Sequence, residues 1–231
     1  LSRPIMATMY TQVPRAVMWL LRGDDALIGG EGGDTEPQHT IEVGSFYISR
    51  GPISNEQYEA FDPDHTRLPN SDGDHDPVVN VSFLEAQAYA KWYAELSKKP
   101  FRLPTEAEWE FGARAMGENR YPWGNDHQRG ANYAWTAENS SGHAQPVDSL
   151  SPSKSGLFGM IGNVWEWTSS AHRPYPITPD DGRDAPDMPD DRVIRGGSFE
   201  DPLELLSCGR REARAIHTRA QNLGFRIVRS L

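Results

Sequence analysis

Gly156-Leu157-Phe158-Gly159-Met160-Ile161-Gly162-Asn163-Val164-Trp165-Glu166-Trp167 is the stretch on which the reading of this chain turns. Glycine recurs at 156, 159 and 162, which argues for backbone at positive φ or for close approach of a second segment. Neither an amphipathic helix nor an alternating strand reads out of it. Asn163 and Glu166 are polar residues beside large rings, in a segment otherwise suited to burial. Buried polar groups need partners, and either a bound cation or the capping of turns would supply them.

Two further stretches agree with the first. Phe101 to Trp109 reads Phe-Arg-Leu-Pro-Thr-Glu-Ala-Glu-Trp, and Arg195-Gly196-Gly197-Ser198-Phe199 is followed by Asn222-Leu223-Gly224-Phe225-Arg226. Together with Gly159 to Trp167 these resemble, in order and spacing, the signatures of the formylglycine-generating enzyme family, also called sulfatase-modifying factors. The resemblance implies an α+β, C-type-lectin-like domain of the formylglycine-generating-enzyme type. Two main helices, small twisted antiparallel sheets and much irregular loop are expected.

Composition bounds the rest. The chain of 231 residues suits one large domain or two small ones, and 37% hydrophobic residues with seven Trp can build a core. Its 21 Gly and 18 Pro call for many turns. The organisation read here is an N-terminal arm or tail over 1–22 and one family-like domain over 23–231. A net charge of −10 argues against a nucleic-acid partner, the one candidate basic stripe being Arg210 to Arg219. No apolar run spans a bilayer, and Ala16 to Leu21, between Arg15 and Arg22, is too short and lacks a following cleavage site. Because Leu1 is not an initiator, a leader or preceding domain stays open. The single cysteine, Cys208, excludes an internal disulfide and a Cys-based zinc site. It points to a reducing compartment, the cytoplasm first, with secretion as the second reading.

Local signals place the elements. Thr40 to Ile48, Arg192 to Phe199 and Gly224 to Arg229 read as strands. Ser54, Ser82 and Thr105 begin helices over Asn55–Phe61, Ser82–Ser97 and Thr105–Met116, the last two with a Glu three residues into the helix. Ala86, Tyr89, Ala90 and Tyr93 form the buried face of the second. Asp62 to Asp76, with His65 and His75, and Asp180 to Asp191 read as solvated loops.

Calcium is the cofactor the resemblance implies. One site would use the Asn163 side chain, the carbonyls of Ile161 and Val164, and Glu166. Another would use Asn132, the Tyr133 carbonyl, Asn139 and the Ser141 carbonyl, with Asn139 standing where the family usually has Asp. Copper is not expected. The family's aerobic enzymes bind Cu(I) through two thiolates after Gly-Gly-Ser, and those positions here are Asp201 and Leu206, which cannot replace soft sulfur ligands. Cys208 alone cannot rebuild a two-coordinate site, and its other reading is a small buried hydrophobe.

The resemblance also places Trp167, Ser198 and Asn222 along a groove, edged by Asp201, Leu206 and Arg211 in the segment Glu200 to Arg214. Glu200, Asp201 and Glu204 could act as acid and base, but such a cluster is more often a solvated ion-pair face. The first functional reading is a family domain that has lost the copper centre and binds a peptide, protein or small ligand in that groove. An oxidative tailoring enzyme of the same family is the alternative. Formylglycine generation itself is disfavoured by the missing Cys pair.

Overall fold

The computed structural model describes residues 13–115, 117–179, 181–185 and 189–231. Among the described residues, ten short strands and three α-helices are joined by long irregular segments, the α+β plan that the resemblance implied.

The first sheet takes strands from both ends of the chain. β1 (Met18–Leu21) pairs with β4 (Phe46–Ser49), β4 with β10 (Val228–Ser230), and β10 with β5 (Phe101–Arg102), all antiparallel. β2 (Asp24–Ile28) and β3 (His39–Val43) form a separate hairpin. In the third sheet the order is β8 (Arg211–Arg214), β7 (Arg192–Arg195), β6 (Trp165–Ala171) and β9 (Leu223–Phe225). β6 and β9 run parallel, so this sheet is mixed rather than purely antiparallel.

The helices follow their start signals. α1 (Asn55–Glu59), α2 (Phe83–Ser97) and α3 (Glu106–Ala113) each carry a reciprocal capping box, from Ser54, Ser82 and Thr105. α2 buries Ala86, Tyr89, Ala90 and Tyr93, as its spacing requires. α3 is different, because every residue but Glu108 is buried, Glu106 and Glu110 included. A helix buried all round belongs inside the molecule, and its two interior carboxylates need cationic partners.

Several expected boundaries move. Residues 13–22 are not an arm: β1 fills the edge of the first sheet, buries Leu21 and stacks Trp19 on Arg50. Residues 1–12 lie outside the described residues. The strand over Thr40–Ile48 is two strands in different sheets, broken at Gly44-Ser45. The strand from Arg192 stops at Arg195, because Gly196 and Gly197 turn the chain at φ 99° and 73°. Gly224–Arg229 is likewise interrupted at Arg226-Ile227. The helix expected to reach Met116 ends at Ala113, and Met116 itself lies outside the described residues.

The two acidic loops are better anchored than their composition suggests. Arg67 bridges Glu59 at 2.6 Å and Asp74 at 2.8 Å, while the Asn55 amide donates to the Ser71 and Gly73 carbonyls. In the Asp180–Asp191 segment, whose residues 180 and 186–188 are not among those described, Arg183 is buried and ion-paired with Glu106 at 2.8 Å.

At Gly162 the chain passes the Trp135 backbone at φ 73°, and a Cβ there would lie 2.2 Å from the Trp135 carbonyl oxygen. Backbone cannot swing aside as a flexible side chain can. Gly162→Ala should therefore cost at least about 2 kcal/mol in urea unfolding, the range of a strained φ plus a clash. A loss under about 0.5 kcal/mol, the level of an ordinary surface substitution, would show that the Gly162 turn relaxes around an added methyl.

Candidate functional site

β6 carries Trp165, Glu166 and Trp167, and alternation along a strand sends Glu166 to the opposite face from the two rings. Glu166 is fully buried. Its Oε2 accepts from Arg226 Nε at 2.6 Å and from Trp109 Nε1 at 2.7 Å, and its Oε1 accepts from Arg226 Nη2 at 2.7 Å. Arg226 also donates to the Ser49 carbonyl at 3.2 Å and the Phe158 carbonyl at 3.1 Å. A fixed guanidinium thus holds this carboxylate and draws backbone carbonyls together.

That geometry bears on calcium. Glu166 does not fit as a ligand in this arrangement, because both oxygens are engaged by Arg226 and Trp109. The Asn163 amide clamps the Gln145 backbone, Oδ1 accepting from its N–H and Nδ2 donating to its carbonyl, both at 2.9 Å. In the second set, Asn139 Oδ1 accepts from Thr136 N at 2.8 Å and from Thr136 Oγ1 at 3.3 Å, and the Asn132 carbonyl takes Ser151 N at 3.0 Å. The Asn163 and Asn139 side chains are thus spent on turns, the alternative their types allowed from the start, while Glu166 is spent on an ion pair. Ile161 and Val164 are buried, Tyr133 is half-buried against the core, and Ser141 turns the chain at φ 59°.

The groove residues divide. Ser198 and Asn222 do come together, Asn222 Nδ2 donating to Ser198 Oγ at 3.1 Å and to Glu200 Oε2 at 2.6 Å. Asp201 joins them, its Oδ2 accepting from Ser198 N at 2.9 Å and Ser198 Oγ at 2.8 Å. Gln221 donates to Glu200 at 2.7 Å, and Arg210 pairs with Asp201 at 3.1 Å while lying 4.9 Å above the Trp165 ring. Glu200 and Gln221 are exposed.

Trp167, Leu206 and Arg211 are not part of this patch. Trp167 has no exposed surface, packs on Phe83 and donates Nε1 to the Val81 carbonyl at 3.0 Å. Leu206 is buried against Gly197, where an added Cβ would lie 2.2 Å from its Cδ2. Arg211 turns inward, 3.3 Å from Glu106 and 4.3 Å above the Tyr175 ring. Trp165, Arg210 and Glu200 take their places around Ser198 and Asn222. Trp165 and Trp167 share one strand face, so alternation could not tell them apart. The contact of Trp165 N with the Asn222 carbonyl, at 2.8 Å, decides it.

The thiolate positions are filled by packing. Asp201 caps the Ser198 turn and Leu206 belongs to the core. Cys208 is buried, and burial pushes its thiol well above the ordinary range, away from a reactive thiolate. Among the described residues, no group of three or more His, Cys, Asp and Glu side chains is placed to hold a metal ion. No helix among them is long and apolar enough to cross a membrane.

Comparison with known proteins fits this geometry. The family described as "Sulfatase-modifying factor enzyme 1-like domain" matches residues 6–231. The formylglycine-generating enzyme of Mus musculus is 36% identical over 168 residues, 65% of this chain and 43% of its own length. The "Inactive C-alpha-formylglycine-generating enzyme 2" of Mus musculus is 35% identical over 67% of this chain and 49% of its own. Hercynine oxygenase of Mycolicibacterium smegmatis is 31% identical over 86% of this chain and 56% of its own. The chain thus spans about half the length of these curated relatives. Among solved structures, Treponema denticola variable protein 1 superposes with a TM-score of 0.83 at 22% identity, over 92% of this chain and 94% of that one.

Removing one partner of a buried ion pair leaves an uncompensated charge and costs about 3–5 kcal/mol. Glu166→Gln should lower stability by about that much, and by the same amount in calcium as in EDTA. A loss seen in calcium and absent in EDTA would make Glu166 a metal ligand after all.

Proposed function

Because this chain belongs to the sulfatase-modifying factor enzyme 1-like family, we propose that it is a family domain without the two-thiolate copper centre. We place its ligand, a peptide, protein or small molecule, at the patch that Glu200, Asp201, Arg210 and Asn222 form over the buried Ser198. The observation that carries the reading is what stands at the thiolate positions. Asp201 is committed to Ser198 and Arg210, and Leu206 has no exposed surface. Neither side chain offers sulfur, and the one thiol is buried.

Several features support binding there. Glu200 is held by Asn222 and Gln221 yet remains exposed. Leu205, 56% exposed, stands in the same segment. A preorganised polar group in the same segment as an exposed apolar side chain suits recognition, since little order has to be gained on binding. Oxidative tailoring is the second reading. The similarity to a hercynine oxygenase over 86% of the chain favours it, and it would need oxidising machinery other than a thiolate pair.

Incubation with Cu(I), oxygen and a cysteine peptide of sulfatase type should yield no formylglycine, and Cu(I) titration should give no one-to-one two-thiolate complex. Turnover of the peptide would overturn the first half of the proposal. For the second half, peptides selected from a random library on the native domain should lose at least about tenfold in affinity on Glu200→Lys, or 1.4 kcal/mol. Selected peptides that bind Glu200→Lys and Asn222→Ala as tightly as the parent would move the ligand elsewhere.

A further inference from the structure

A cavity of about 160 Å³ lies where the end of β4 meets the start of α1 and the loops around His75 and Asp148. It shares no residue with the Ser198 patch. Arg50 lines the cavity. The guanidinium carbon lies 5.0 Å from the centre of the Trp19 ring and 4.8 Å from that of Phe158. Arg50 Nε donates to the Gly156 carbonyl at 3.1 Å. Among the described residues, neither terminal nitrogen of Arg50 has a carbonyl or carboxylate partner. Arg183, Arg195, Arg211 and Arg226 all spend theirs on such groups. Cation–π contact with two rings and one backbone bond fix the fork, and its free ends match a carboxylate.

The same cavity carries the opposite charge. Glu56 and Asp148 line it, and neither is within ion-pair distance of Arg50. Glu56 faces His75 Nδ1 at 3.3 Å, while the Asp148 carboxylate has no partner among the described residues. A simple anion would gain at Arg50 and lose to two carboxylates, and a simple cation would meet the reverse. A molecule with both charges a few bonds apart satisfies both, which is the logic of electrostatic complementarity. The volume admits one small molecule.

We propose that this cavity binds a small zwitterion of the α-amino-acid type, its carboxylate on Arg50 and its ammonium toward Glu56 and Asp148. Side-chain selectivity would fall to the apolar wall of Phe158 and Val147.

Calorimetric titration of the native domain with the free L-α-amino acids tests this, with acetate and methylammonium as single-charge controls. At least one amino acid should bind saturably with Kd below about 1 mM, at least about tenfold tighter than either control. Asp148→Asn, on an exposed loop, should weaken it by about tenfold, and Arg50→Lys, which keeps the charge but not the fork, by at least as much. Circular dichroism would confirm that Arg50→Lys folds, and Asp148→Asn decides the matter if it does not. Absence of binding at about 10 mM for every amino acid, acetate binding as tight as any of them, or unchanged affinity in Asp148→Asn would each overturn the proposal.

Discussion

The pairing of Glu166 with Arg226, buried on both sides and shared with Trp109, is the interaction on which the rest of the molecule depends. It is one member of a set. Glu110 meets Arg195 and Arg114, and Glu106 meets Arg183 and Arg211. Buried ion pairs are weak evidence of stability, because desolvation offsets most of the attraction. Their use here is different. Each guanidinium also binds backbone carbonyls: Arg226 those of Ser49 at the end of β4 and Phe158, Arg195 that of Gly209, Arg211 that of Arg173, Arg183 that of Pro174. A fold with short strands and long irregular segments has many carbonyls that no ladder satisfies. Arg supplies five donors in a rigid fork, so a few such side chains replace much secondary structure. Burial alone would lower the Arg195 pKa, but Glu110, Tyr175 and Glu106 more than reverse this and leave it raised.

Seen this way, the three sequence signatures are one object. Phe101–Trp109 opens α3, which carries Glu106, Glu110 and Trp109. Gly159–Trp167 brings Glu166 onto β6, and the C-terminal blocks bring Arg195 and Arg226. The glycines sit between them because backbone must pass close by: Gly196 lies against the Met160 carbonyl and Trp109, and Gly224 against the Val78 carbonyl. The signatures therefore describe a charged core and its clearances before they describe any chemistry.

This also explains what the sequence could and could not convey. The helices were legible because Ser82 with Glu85 and Thr105 with Glu108 are local signals. The family was legible because its core residues recur in fixed strings. The partner of Glu166 was not, since Arg226 lies 60 residues away and a carboxylate beside rings suits a cation of either kind. Nor could periodicity separate Trp165 from Trp167. β1 was missed because a four-residue strand between two arginines carries almost no pattern, and its pairing with β4 is set by distant residues. Arg211 was expected at the groove edge because it lies in the segment Glu200 to Arg214, and a partner as deep as Glu106 cannot be read from composition.

The positions that would carry copper thiolates are filled here by side chains the core and a turn use. An abandoned ligand position could be left as a cavity or an exposed remnant, and each costs stability or order. Here both are integrated. Asp201 accepts from the Ser198 backbone and hydroxyl and anchors Arg210 over Trp165. Leu206 fills the space that Gly197 leaves. With these residues holding the turn and the core, what still faces outward nearby is Glu200, Leu205 and the amides of Gln221 and Asn222. None of those four belongs to the charged core, so they can vary without disturbing Glu166 and Arg226. A scaffold whose rigidity comes from buried arginines leaves its surface segments free to specialise, because their conformation is fixed from beneath.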